Sequence, residues 1–400
     1  MRATGIVVEY NPFHNGHLYH VAQAKKIAQA DVCVAVMSGS FLQRGEPAVV
    51  DKWTRTKMAL HAGVDIVIEL PYAYSTAQAR QFASGSISLL HAIGCESVVF
   101  GSENGDIAPF SHTHHLISSH RTEYEAKIHE AMQLGLSYPK ALQHAYQHVL
   151  TYATEATVDL AQPNNILGYH YVEAAHELTI RPLTIPRIAA HYHDENMAHD
   201  TIASATAIRK ALFDTKNLRD IEAFVPAPTY EALTDWQTHS DFIQWQTFWP
   251  LLQHTILQKT PQQLTQYVDV SEGIEFAFIK AAKTSTSFAE FMQKVKSKRY
   301  TWTRLQRMIT HIFTGYTKEL NATFTAPRYI RLLGITKNGQ AFISQQKKSI
   351  PLPLISRVAS SDDAMLQFDL QAANLYDVGA NMTRSAPRLN VDYRTPPLRL

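Results

Sequence analysis

The chain has 400 residues, of which 45% are hydrophobic and 18% charged, with 16 glycines and 18 prolines. That balance belongs to a folded protein with room for two domains and a sizeable core, and it excludes a largely disordered chain. A net charge of +2 does not mark a nucleic-acid binder by itself; only a local concentration of base would.

The first apolar run is short and broken at once by Asn and His, so it does not read as a secretory signal. No run approaches the roughly 20 apolar residues that span a bilayer. Cys33 and Cys95 are the two cysteines, each inside an apolar run and without a C-x-x-C partner, which predicts two buried reduced thiols. A cytoplasmic location is the matching expectation.

In chain order, TGIVVEY (4–10) is continuous and β-branched, as a strand buried on both faces should be. A helix follows at 15–28, then a strand at 31–39. Residues 52–63 read as a helix stopped by Gly63, and 64–71 as a strand ended by proline. A helix at 77–93, a strand at 96–103, and a more polar helical stretch come next. A helix at 163–178, a strand at 180–188 and a helix at 204–213 complete this part. The alternation predicts an α/β fold with a Rossmann-like parallel sheet over residues 1–215. Residues 216–400 are expected to form a mainly helical, partly basic second domain. Within it, two short strand-like runs flank Asn338-Gly339, which predicts a hairpin, and the last stretch, with many Pro, Ser and Asn residues and ending in TPPLRL, predicts irregular structure.

The stretch Glu9-Tyr10-Asn11-Pro12-Phe13-His14-Asn15-Gly16-His17 follows the first strand and opens the first helix. In an open α/β sheet, ligands bind in the crevice beyond the strands' C-terminal ends. The helix start offers unpaired N–H groups and a positive dipole end, both suited to phosphate. Gly16 has no Cβ and allows close approach. His14 and His17, three apart, point the same way and would stabilise charge developing at an attacked phosphorus. A second cluster, TIASATAIRKAL (201–212), places Ser204 as a helix cap with Thr206 and Arg209 on one face. Arg209 would fork its donors onto the β- and γ-phosphates of ATP.

These residues resemble the H-x-G-H adenylyltransferase boxes. The runs GIVVEYNPFHNGHLYH, SGSFLQRGEPAVVDKWTRTKMAL, DIVIELPYAYS, QFASGSISLL, VVFGSENGD, PNNILGYHY and IASATAIRKAL are similar in order to the bacterial tRNA(Met) cytidine acetate ligases. The C-terminal half matches more loosely, at KRYTWTRLQRM. The resemblance implies a class I nucleotidyltransferase fold and a two-step reaction. Acetate attacks ATP to give acetyl-adenylate, and the acetyl group then passes to N4 of the wobble cytidine of elongator tRNA(Met). His14 and His17 would be catalytic. ATP contacts would come from Val7, Val8, Glu9, Tyr10, Asn11, Pro12, Phe13, His14, Asn15, Gly16, His17, Leu18, Tyr19 and His20, with Gly101, Asn165, Arg187, Ser204, Thr206 and Arg209. Mg²⁺ is expected with ATP, and no protein metal cage. Asn11 stands where many cofactor adenylyltransferases carry Asp, a departure that agrees with the ligase branch.

Other features stay open. The loop Gln43–Pro47 is placed to close over substrate, with Lys52 or Arg55 as anion partners, or is a solvated helix entry. Between 291 and 318, seven Lys and Arg residues occur without an acid. Lys298, Arg299, Arg304 and Arg307 are the expected RNA contacts, with Tyr300 and Trp302 as stacking aromatics; the alternative is a solvated charged face. His112, His114 and His115 read as a polar helix surface in preference to a metal site. Two further functional readings are a cofactor-type adenylyltransferase and a non-catalytic, nucleotide-responsive RNA-binding protein. The oligomeric state is not legible.

Overall fold

The computed structural model describes residues 1–103, 105–136, 138–187 and 201–400. Its sheet contains β1 (Ala3–Val8), β2 (Val32–Ser38), β3 (Ile66–Leu70), β4 (Ser97–Ser102), β5 (Arg181–Pro186), β6 (Ile330–Ile335), β7 (Leu354–Ile355) and β8 (Leu398–Arg399). The order is β5-β4-β1-β2-β3-β6-β7, with β8 also on β6. β1 to β5 are parallel; β6 runs antiparallel to β3, matching Ile66 with Ile335 and Glu69 with Arg331. Every residue of β2 and β3 is buried, which is why both read as unbroken apolar runs and not as alternating ones.

The crossovers are helical. They are α1 (Asn15–Ala28), α2 (Lys52–His61), α3 (Tyr72–Ser75), α4 (Ala79–Ile93), α5 (Ala108–Ser119), α6 (Arg121–Gln133), α7 (Tyr138–Val149), α8 (Pro163–Glu177) and α9 (Ala205–Asp214). Their ends follow local chemistry: the Asp51 side chain accepts from Thr54 N–H at 2.8 Å to start α2, and Gly94, at φ 95°, ends α4. The chain runs from β1 through β2 to β3, then returns to place β4 on the other side of β1. This reversal opens a crevice at the C-terminal ends of β1 and β4.

Helices dominate after residue 215: α10 (Ala227–His239), α11 (Trp245–Leu257), α12 (Pro261–Leu264), α13 (Ile274–Ala282), α14 (Phe288–Val295), α15 (Trp302–Thr314) and α16 (Lys318–Thr323). The chain then rejoins the sheet through β6, α17 (Lys337–Gln346) and β7, and closes with α18 (Ala364–Ala380), α19 (Val391–Arg394) and β8. The sheet therefore draws strands from both sides of residue 215.

Two expectations are corrected. Asn338-Gly339 does not turn a hairpin, because Thr336 accepts from Gly339 N–H at 3.2 Å and caps α17. The preceding apolar run pairs with β3 and not with the run that follows. TPPLRL is not irregular throughout, since Leu398 and Arg399 pair with β6. The strand expected over 180–188 ends at Pro186, and residue 188 lies outside the described residues.

The added strands carry buried charge. Lys52 Nζ lies 2.7 Å from Glu69 and 3.0 Å from Asp392, and Arg331 lies 3.0 Å from Asp392. All four are nearly inaccessible, so each charge depends on its partners in a medium that solvates it poorly.

Candidate active site

A cavity of about 440 Å³ opens at the crevice. Its wall takes Val7, Val8 and Glu9 from the end of β1, Phe100 and Gly101 from β4, and Ile185, Pro186 and Arg187 from the end of β5. The first turns of α1, α8 and α9 also face it, through Gly16, Asn164 and Ala205. Three helix N-termini around one space give an electropositive concavity before any side chain is counted. The described lining then adds four guanidinium groups, those of Arg44, Arg187, Arg209 and Arg307, against the carboxylates of Glu9 and Glu46.

His14 is the N-cap of α1. Its Nδ1 accepts from Gly16 N–H at 3.1 Å, and His17 Nδ1 accepts in return from His14 N–H at 3.2 Å. Both Nδ1 atoms are therefore unprotonated, and each neutral ring keeps its proton on Nε2 as a donor. The rings lie 3.8 Å apart between centroids. Burial, with the nearby charges of Arg187 and Arg209, lowers the His14 pKa to about 3. Burial also holds His17 well below the usual histidine range, with His14, His20 and Arg187 adding to it. Gly16 has a second reason for being bare: a Cβ there would sit 2.9 Å from His14 Cε1. A side chain at 16 would push the capping imidazole away.

His20 differs from the pair. Its Nε2 donates to Val99 O at 3.0 Å, leaving Nδ1 as the acceptor, and burial lowers its pKa to about 4. Tyr10, fully buried at φ 52°, packs its ring edge-on to His17 at 5.0 Å. A bulky residue held in the left-handed region marks a locally constrained strand exit.

Of the residues expected from sequence, Val7, Val8, Glu9, Tyr10, Asn11, His14, Gly16, His17, Tyr19, His20, Gly101, Arg187, Ser204, Thr206 and Arg209 line the cavity. Ser204 caps α9 by accepting from Ala207 N–H at 3.0 Å. Arg209 donates to Asn11 O at 2.9 Å and lies 3.5 Å from Glu46. The others do not line it. Pro12 is buried and Phe13 is in the core. Leu18 faces outward. Asn15 donates to Thr201 O and Ala223 O, tying α1 to the chain around α9. Asn165 is buried and donates to Asp159 O at 3.1 Å, whereas its neighbour Asn164 faces the cavity and accepts from Arg187 at 3.0 Å.

Sequence reading missed how far the C-terminal half reaches. Thr303 and Arg307 of α15 line the cavity, and Arg307 is buried 3.4 Å from Asp269. The loop after β2 does face the cavity, through Gln43, Arg44 and Glu46. Lys52 and Arg55 do not serve as its anion partners. Lys52 is held in the buried ionic cluster, and Arg55, fully buried, donates to the carbonyls of Glu9 (2.7 Å), Ser38 (2.9 Å) and Gly39.

The basic run is less bare than it reads. Arg299 and Arg304 meet Glu272, at 2.8 and 3.9 Å. Tyr300 is buried beneath Arg304, so it offers no stacking face, while Trp302 is 41% exposed. Lys298 is exposed. His112 pairs with Glu155 at 2.6 Å and His114 stacks on His176. Among the described residues, no group of three His, Cys, Asp or Glu side chains converges to hold a metal, and no helix is long and apolar enough to cross a membrane.

Residues 1–389 match the family model described as HIGH Nucleotidyl Transferase. The tRNA(Met) cytidine acetate ligase of Lysinibacillus sphaericus is 59% identical over the full length of both chains. That of Bacillus subtilis is 46% identical over 94% of this chain and 92% of its own. The crystal structure of apo Thermotoga maritima TmcAL superposes with a TM-score of 0.92 at 32% identity, and that of the same protein bound with alpha-thio ATP with 0.90 at 31%; all of both chains is covered in each case. With its H-x-G-H box at the mouth of β1 and similarity along its whole length, the chain belongs to the tRNA(Met) cytidine acetate ligase family of HIGH nucleotidyl transferases.

Proposed function

We propose that the protein is an ATP-dependent ligase that converts acetate to acetyl-adenylate and transfers the acetyl group to N4 of the wobble cytidine of elongator tRNA(Met). The observation that carries this reading is the His14–His17 capping box. It locks two neutral imidazoles as Nε2–H donors at the start of α1, inside a cavity rich in arginine and helix N-termini.

Acetate is a poor acyl donor, and the amine of cytosine is a poor nucleophile because its lone pair is delocalised into the ring. Forming the mixed anhydride with AMP supplies a good leaving group. In the first step an acetate oxygen attacks the α-phosphorus, the bond to the bridging oxygen breaks, and pyrophosphate leaves. Charge grows on the phosphoryl oxygens and the leaving group. Preorganised donors there cost no reorganisation at the moment of reaction. His14 and His17 supply them at the α-phosphate, while Arg209 and Arg187 hold the outer phosphates. Mg²⁺ enters with ATP as part of the substrate and adds positive charge along the phosphates. Residues 1–215 carry most of this chemistry. The C-terminal half docks tRNA through Lys298, Arg299, Arg304 and Trp302, while Arg307 works from the cavity wall. Those roles and a cytoplasmic setting complete the reading.

The test is acetate-dependent exchange of labelled pyrophosphate into ATP, followed by transfer of labelled acetyl to unmodified elongator tRNA(Met). Both activities are expected. Exchange that requires a cofactor precursor in place of acetate, or no exchange with any acid, contradicts the proposal.

A further inference from the structure

The phosphates of ATP and acetate leave one carboxylate of the cavity unexplained. Glu46 is paired with Arg209 at 3.5 Å, whereas Glu9 brings a second carboxylate into this arginine-rich space. Its Oε1 accepts from Gln43 N–H at 2.9 Å, which fixes the side chain and leaves Oε2 as the remaining acceptor. A carboxylate repels both phosphate and acetate, so its part of the wall suits a neutral group that carries N–H or O–H donors, either the base or ribose of ATP or the amine of the acceptor cytosine. Exchange and transfer, measured separately, distinguish the two.

The charged neighbours divide the wall only in part. The imidazoles of His14, His17 and His20 all feel Arg187. Glu9 lies near Arg44 and Glu46 of the loop after β2 and shares Arg209 of α9 with His14. Tyr171 of α8 and the buried Arg55 of α2 complete its titratable surroundings. The loop rests on α11 and α15: Gly45 O accepts from Trp245 Nε1 at 2.7 Å and from Thr310 Oγ1 at 2.8 Å. Glu9 is thus on the side bounded by the helix that begins at exposed Trp302.

We propose that Glu9 receives the exocyclic amine of the acceptor cytosine and takes its proton during acyl transfer. This rests on the ligase reading above. The pyrimidine edge presents one N–H₂ donor beside the N3 and O2 acceptors, a pattern that a carboxylate flanked by arginine matches. As N4 bonds to the acetyl carbonyl carbon, the bond from that carbon to the adenylate oxygen breaks and AMP leaves with the electron pair. The amine proton passes to Glu9 Oε2, and from there to solvent. His14 and His17 cannot take it, because each Nδ1 already accepts a backbone N–H and each Nε2 is protonated. Burial raises the Glu9 pKa above the usual carboxylate value, which makes its ionised form a stronger base.

The full-length protein, given chemically prepared acetyl-adenylate and unmodified elongator tRNA(Met), reads the second step alone. Glu9→Gln should slow acetyl transfer by about 10²-fold or more, lose the acidic limb of the wild-type pH–rate profile, and regain part of the rate as Glu9→Asp. Its acetate-dependent pyrophosphate exchange should fall far less than transfer does. Equal losses in exchange and transfer, or an increased Mg²⁺ requirement for exchange, would assign the carboxylate to the nucleotide step and overturn the proposal. So would an unchanged pH profile in Glu9→Gln with its acidic limb lost in His20→Gln. Absence of acetate-dependent exchange in the wild-type protein would instead overturn the ligase reading.

Discussion

A histidine that caps a helix and also serves chemistry can be divided by substitution. Asn is a good N-cap but offers no donor where Nε2 stood. His14→Asn should therefore keep the folded protein within about 0.5 kcal/mol of wild type, yet lose about 10²-fold in adenylation, the scale for removing one transition-state donor. His17→Ala should lose at least as much. Thermal unfolding alongside pyrophosphate exchange checks both, and a loss below tenfold in each variant would remove the assigned roles. His14, Gly16 and His17 were legible because they are adjacent in the chain and follow a clear strand. At the start of α8 the pattern does not say which of two adjacent asparagines lines the cavity, and in the fold Asn164 does while Asn165 is buried beside it. Arg307 read as part of a surface charge run. Nothing local reveals that Asp269, far back in the chain, buries it at the cavity wall.

Elements were legible wherever their signals were local. The parallel strands showed as β-branched runs, and the helix ends at Asp51, Gly94 and Ser204 carry their own punctuation. The hairpin expectation failed because Asn-Gly favours a turn only when the flanking runs pair with each other. Here Thr336 caps a helix and β6 finds β3 instead. The loop after β2 shows how such distant contacts control the site. Gly45 sits at φ 76°, and a Cβ there would lie 2.5 Å from the backbone nitrogen of Arg307. Gly45→Ala should cost about 1–3 kcal/mol through overpacking and the left-handed backbone. It should also raise the KM for ATP, because Arg44, Glu46 and Arg307 are displaced together. Urea unfolding and steady-state kinetics check this, and a variant indistinguishable from wild type would show that the loop is not clamped.

Across the molecule, the histidines set a direction for pH. His14 and His311 titrate at about 3 and His20 at about 4 in the folded protein, mainly through burial, against an ordinary value near 6.5. Below pH 6.5 the unfolded chain takes up protons that the folded one refuses, so stability is intact above that pH and declines as pH falls towards 4 and 3. Each such histidine contributes up to about 1.4 kcal/mol per pH unit. Unfolding between pH 7.5 and 5 should therefore show a falling melting temperature, and a flat profile would mean that these rings are protonated when folded. The two-part rhythm of the chain was visible in the sequence. The return of β6, β7 and β8 to the first sheet was not, because antiparallel pairing over so long a separation leaves no local mark.

The central claim is that the innermost phosphate of ATP lies against His14, Gly16 and His17. A crystal structure with an ATP analogue that cannot be cleaved between the α- and β-phosphates tests it most directly. The α-phosphate should lie within hydrogen-bonding reach of both Nε2 atoms, with the outer phosphates between Arg187 and Arg209. A nucleotide bound elsewhere, with the start of α1 closed by side chains, would contradict it.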